Sequence, residues 1–235
     1  MAKGLGAATA VRATGAALTS TTTAPRNRGR RTAASAAVSR ELILEASIHE
    51  FARHGFEGAT TASVARVSGV TQPLVHYYFG TKDGLWRAAM EMLAARLNLV
   101  LNAAEEDAQN LDPADGLRVY VRRYVYFCAA NPEFSRMIAR EAASKGPRLD
   151  WVVEKVLRSF SNQLGMLIER VRAAGQLRDV RTEHVFLGLL GAASCVFDGA
   201  ALADELYELD TFSRNEVQSF AETISTMFLD GIVSS

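Results

Sequence analysis

Residues Ile43–Trp86 read ILEASIHEFARHGFEGATTASVARVSGVTQPLVHYYFGTKDGLW. Ile43, Ala46, Ile48, Phe51 and Ala52 form an apolar stripe at helical spacing, which predicts a helix from an N-cap at Ser39 to about His54, ended by Gly55. Phe56 then packs back under the turn. Thr60 or Thr61 caps a short second helix with Val64, Ala65 and Val67 inside, and Ser68-Gly69-Val70 makes a tight turn. Thr71 caps a third helix that carries Pro73 in its first turn, where a missing N–H costs nothing. Gly80 breaks it, and Thr81-Lys82-Asp83 opens a fourth helix reaching about Glu106. Two short helices joined by a glycine-containing turn, over about Thr60–Tyr78, make a helix-turn-helix.

A helix that enters a major groove about 12 Å wide must be short and exposed on one face, with its other face packed on its neighbours. Leu74 or Val75 and Tyr78 or Phe79 can pack inward, leaving Thr71, Gln72, His76 and Tyr77 outward. Glutamine suits bidentate contact with adenine, and a threonine methyl can touch thymine. Lys82 and the hydroxyls of Thr60, Thr61 and Tyr77 suit phosphate, with the dipole at the start of the second helix adding to them. Spacing alone also fits a plain helical corner.

Charge supports a polyanionic partner for this end of the chain. The 235 residues are neutral overall, but residues 1–90 carry eleven Lys/Arg against five Asp/Glu, while residues 91–235 carry fifteen against twenty-one. Residues 1–37 are Ala/Thr/Gly/Ser-rich with the basic run Arg26-Asn27-Arg28-Gly29-Arg30-Arg31, and they contain too little apolar surface to offset ordering entropy. They are expected to be a disordered basic arm. It is able to add phosphate or minor-groove contacts and equally able to remain a solvated tail.

Beyond residue 90 the sequence predicts longer helices: one capped by Asp112-Pro113 through Tyr120, Tyr124 and Phe127, one capped by Asn131-Pro132, one from Arg148 to Ala174, one from Thr182 to about Ala203, and one opened by a Ser213–Glu216 capping box and ending before Gly231. The fold class is all-α, with about nine helices and no strand or repeat. No run of eighteen apolar residues exists, so no membrane partner is expected. Cys128 and Cys195 sit in apolar helical patterns and read as buried free thiols of a reducing cytoplasm. His49 and His54 are poorly spaced for a metal, His184 stands alone, and no Cys-x-x-Cys, phosphate loop or Gly-x-Ser-x-Gly occurs. No catalytic residue, metal or cofactor is expected, and an enzyme is disfavoured.

The Ile43–Trp86 stretch closely resembles the TetR family of transcriptional regulators. The resemblance is carried by Ala46 and Phe51, Gly55-Phe56, Thr60-Thr61, Val64-Ala65, Ser68-Gly69-Val70, Tyr77-Tyr78-Phe79, Lys82 and Leu85. It implies a homodimer with a helix-turn-helix DNA-binding domain (38–84) and a helical ligand-binding and dimerisation domain (85–235). Carried onto this chain, Gln72, Pro73 and His76 occupy base-reading positions, and Thr61, Tyr77, Tyr78 and Lys82 occupy positions that touch the DNA backbone. Leu74 or Val75 can reach a thymine methyl, and Arg40 and Ser63 complete the candidate contacts. Ala62 departs from relatives with a polar or basic residue there.

The resemblance further implies that the last two helices pair with their copies. Phe186, Leu190, Val217, Phe220, Ile224, Met227 and Phe228 supply the seams, which can instead be intramolecular core. An effector pocket is expected among Tyr124, Phe127, Met137, Trp151, Phe160, Leu164, Phe186 and Ser194, although aromatics and methionine at this spacing also pack as plain core. The scarcity of charge in the apolar faces points to a neutral or hydrophobic effector. The function so implied is a repressor released from a near-palindromic operator by a small molecule. The alternative is a TetR-like adaptor acting mainly through protein partners.

Overall fold

The structure is a computed structural model describing residues 33–233, and the basic run at Arg26–Arg31 lies outside them. The described residues form helices α1 (Ala33–Gly58), α2 (Thr61–Ser68), α3 (Gln72–Phe79), α4 (Lys82–Ala108), α5 (Pro113–Ala130), α6 (Pro132–Ala142), α7, α8 (Thr182–Asp198), α9 (Ala200–Tyr207) and α10 (Arg214–Ile232). Helix α7 runs through Pro147–Val152, a π-helical turn at Val153–Leu157, and Arg158–Ala173. Among the described residues the only strand-like pairing is an isolated antiparallel bridge between Leu177 and Val233.

Local sequence signals set most boundaries. Thr60 caps α2 and forms a reciprocal capping box with Ser63, and Gly69 closes that helix in the left-handed conformation. The side chains of Thr81, Asp112 and Ser213 accept from the first-turn N–H groups of α4, α5 and α10. Phe56 stacks on Phe51 at 6.1 Å and meets Trp86 edge-on at 6.2 Å, so it does pack back under the turn.

Several expectations change. Helix α1 begins at Ala33, so Ser39 is interior and residues 33–37 are helix rather than arm; the Tyr78 hydroxyl donates to the Ala36 carbonyl and ties this first stretch down. Val67 is exposed, because α2 is short and turns only Val64 and Ala65 into the core. The helix expected from Thr182 to Ala203 bends by 62° at Gly199 into α8 and α9. Cys128 is buried as expected, and burial pushes its thiol up to about 12, but Cys195 is exposed on the outer side of α8. No single helix among the described residues is long and apolar enough to cross a membrane.

The core is continuous from end to end. Helix α4 joins the two halves: its N-terminal turns (Leu85, Trp86, Ala89, Met90) pack under α1–α3, and its C-terminal turns (Leu97, Leu101, Ala104) pack on α5 and α7. Helix α5 lies at the centre of the second half, with α4, α7, α8 and α10 around it.

Candidate nucleic-acid interface

Helices α2 and α3 present the expected face. Val75 is buried, settling the choice between it and Leu74, which is half-buried. Thr71, Gln72, Pro73, His76 and Tyr77 are exposed, Tyr77 by 80%. The Thr71 side chain makes no cap hydrogen bond, so its hydroxyl is not committed to its own helix.

The polar groups of this face are linked before any ligand arrives. Gln72 Nε2 donates to Thr61 Oγ1 at 3.1 Å, and Thr61 Oγ1 lies 3.3 Å from His76 Nε2. His76 Nδ1 lies 2.9 Å from the Gly80 carbonyl oxygen, which can only accept. In the neutral ring Nδ1 therefore carries the proton and Nε2 accepts from Thr61. The chain Gln72–Thr61–His76–Gly80 fixes the Gln72 and His76 side chains against both helices of the motif.

Other candidates are partly engaged elsewhere. Thr60 and Ser63 spend their hydroxyls on the α2 cap. The Tyr78 ring packs between Tyr77 (5.3 Å) and Phe79 (6.1 Å), and its hydroxyl is bound to α1. The Lys82 ammonium donates to Glu57 O at 3.1 Å and sits 4.7 Å over the Phe56 ring. The Arg40 guanidinium lies 5.4 Å over Phe79. These cations edge the exposed face of α3 while bracing it.

Three features of this region were missed in the sequence. Gly84, in the first turn of α4, sits where a Cβ would run into the Phe79 carbonyl oxygen, so the α3–α4 junction closes only around glycine. Arg140 on α6 donates to Ala52 O at 3.3 Å and Arg53 O at 3.1 Å, satisfying carbonyls that α1 leaves open at the Gly55 break. Arg148 on α7 lies 4.1 Å over Phe56 and pairs with Glu57 (3.8 Å) and Glu141 (3.0 Å). The α1 partners of Arg140 and Arg148 lie about ninety positions away and leave no periodic signal by which sequence reasoning could find them.

The expected effector residues are mostly packed aromatic core. Phe160 contacts Tyr124 at 4.6 Å and Phe186 at 5.1 Å, and Phe127 lies 6.5 Å from Tyr124. Met137 and Leu164 are buried. Trp151 stands apart from this cluster, against Trp86 of α4 at 5.5 Å. The Ser194 hydroxyl donates back to Leu190 O and so serves its own helix. The Tyr124 hydroxyl is buried beside Cys128 without a conventional hydrogen-bond partner among the described residues, and burial raises its pKa well above the usual phenol value.

Of the expected interface residues, Ile224 is buried within the protomer, because α10 turns Ala221, Ile224, Ser225 and Leu229 toward its own core. Phe186, Leu190, Val217, Phe220 and Phe228 are half-buried, and Met227 is 69% exposed. Phe228 packs over Gly188, the small residue that lets α8 and α10 approach.

Comparison with known proteins agrees with this architecture. Residues 43–96 match the profile of bacterial regulatory proteins of the tetR family, and residues 113–227 match the tetracyclin repressor-like C-terminal domain. The HTH-type transcriptional regulator RutR of Escherichia coli O157:H7 is 24% identical over 202 residues, covering 82% of this chain and 90% of that protein. The HTH-type transcriptional repressor NicS of Pseudomonas putida is 28% identical over 163 residues, covering 67% and 74%. Among solved structures, HlyIIR, a hemolysin II transcriptional regulator, superposes with a TM-score of 0.64 at 18% identity, covering 86% of this chain and all of that one. The fatty acid degradation regulator FadR from Bacillus halodurans gives 0.63 at 17% identity, covering 81% and 98%. With both halves of the fold and the reading helix accounted for, the chain belongs to the TetR family and is a DNA-binding transcriptional regulator.

Proposed function

We propose that the protein is a homodimeric repressor that binds a near-palindromic operator and is released from it by a small neutral or hydrophobic molecule. The observation that carries this reading is the linked face of α3, where Gln72 and His76 are held outward through Thr61 while Val75 anchors the opposite side. Gln72, Pro73 and His76 read bases, and Leu74 or Thr71 offers a methyl to thymine. Thr61, Tyr77 and Lys82 contact phosphates, with Arg40, Thr60, Ser63 and Tyr78 bracing or flanking them. A relative named as a repressor supports the sign of regulation.

Dimerisation is assigned to α8 and α10 through Phe186, Leu190, Val217, Phe220, Met227 and Phe228. Two reading helices then sit about 34 Å apart, one turn of DNA. The effector enters the aromatic core around Tyr124 and Phe160, where the buried Tyr124 hydroxyl offers a hydrogen bond. Differential affinity for the two half-site spacings drives release. The protein works at the chromosome, in the cytoplasm.

A mobility-shift titration against the DNA upstream of its own gene, at graded salt, tests the reading. Binding that is specific for one near-palindrome and weakens steeply with salt is expected. Equal affinity for unrelated DNA overturns it.

A further inference from the structure

Helix α9 is short, and no residue in it is buried. It leaves α8 at a 62° bend, and α8 is the element it chiefly contacts. One side carries Leu202, Leu206 and Tyr207, exposed by 63%, 61% and 74%, together with Ala203; the other carries Asp204 and Glu205, and Glu208 caps the C-terminal end. Eight residues are too few for a helix to hold its shape in water on propensity alone. Beside it lies a groove of about 270 Å³ whose apolar wall is Val196, Ala203, Tyr207, Leu209 and Phe220, with Glu216 and Ser219 among the polar residues at its edge. Ala203 and Tyr207 face this mostly apolar groove, while Leu202 and Leu206 beside them stay uncovered in the protomer.

We propose that α9 is an exchanged arm of the dimer: the Leu202–Leu206 stripe of each copy seats in the α9–α10 groove of the other. The inference rests on the dimer reading given above and extends it. The groove is continuous with the α8–α10 face through Phe220 and Thr223 of α10. That face by itself offers few exposed apolar side chains, chiefly Leu187 and Met227, between the small residue Gly191 and Cys195. A stable interface buries about 800 Å² from each partner, and Leu202, Leu206 and Tyr207 add exposed apolar side chains to those of the α8–α10 face. A two-fold axis allows such an arm to act twice, each stripe meeting the other copy's groove. The acidic far side of α9 opposes approach to DNA or to an anionic bilayer, which leaves protein as the occupant.

Sedimentation velocity on the full chain tests the proposal, comparing the wild type with the double substitution Leu202→Glu/Leu206→Glu. Both positions are exposed in the protomer, so the fold should survive; a helical circular dichroism spectrum and cooperative melt check this. Should the melt be lost, Leu202→Gln/Leu206→Gln replaces the pair. A dimeric wild type and a variant whose dimer dissociation constant rises at least about tenfold are expected. A dimeric wild type with an equally tight variant overturns the arm but leaves the dimer. A monomeric wild type overturns both. Sedimentation of the wild type, but not the variant, with phosphatidylglycerol vesicles, at unchanged dimer affinity, overturns the arm in favour of a lipid surface.

Discussion

At the scale of single residues, His76 and Tyr124 show how differently one polar group can be used. His76 is exposed, but both ring nitrogens are engaged, so its position is defined before DNA arrives. Replacing it with alanine removes one of the groups proposed to read bases and frees Thr61 and Gln72 from their shared anchor. His76→Ala is expected to relax preference at one operator position by about 1–3 kcal/mol while nonspecific affinity holds, as read by competition binding with single-base operator variants. Tyr124 is the reverse, a fully buried phenol whose hydroxyl has only the weakly accepting Cys128 thiol beside it. Tyr124→Phe keeps the ring contacts with Phe160 and Phe127 and removes the desolvated group. The variant is expected to be more stable than wild type by about 1 kcal/mol in chemical denaturation.

At the scale of elements, the break in α1 shapes the reading unit. Gly55 adopts φ 71° and ψ 175°, a region essentially reserved for glycine, so α1 stops and a last turn carries Phe56 and Glu57 beneath Lys82 and Arg148. A Cβ at Gly55 would also press on the Arg140 guanidinium at 3.2 Å. Gly55→Ala is expected to cost about 1–3 kcal/mol in thermal melts and to weaken specific DNA binding, because α2 would leave α1 at a different angle. The reading helix behaves otherwise. Thr71, Gln72, Pro73, His76 and Tyr77 were legible as its outer face because a two-turn helix held on one side leaves little choice about which residues face out. The 62° bend after α8 was not legible: the sequence around Gly199 is apolar and helix-compatible on both sides, and glycine is tolerated within helices.

At the scale of the whole molecule, the second half grips the first through cations. Arg140 holds the carbonyls of Ala52 and Arg53, Arg148 holds Phe56 and Glu57, and Arg96 of α4 pairs with Glu45 of α1. These contacts predict that a movement of α6 or α7 is felt at the end of α1, directly before the helix-turn-helix. Removing Arg140 leaves two carbonyls of α1 to water. Arg140→Ala is expected to lower stability by about 1 kcal/mol and to raise amide exchange around residues 52–58, with the α5–α10 core unchanged. Exchange that stays uniform across both halves would show that the grip carries no coupling.

The sequence by itself determined the reading unit and the fold class. Caps, glycines and apolar spacing between Ile43 and Trp86 act over a few residues, so their geometry is written locally. It also determined the division of charge between a basic first third and an acidic remainder. Only the tertiary structure decided that Ile224 belongs to the protomer core, that Cys195 lies outside it, that Trp151 sits against Trp86 rather than beside Tyr124, and that Arg140 and Arg148 clasp α1. The physical reason is the reach of the interactions involved. A helical stripe says that a face is apolar, but which neighbour covers it depends on how the helices of the described residues pack together, and no local pattern records that.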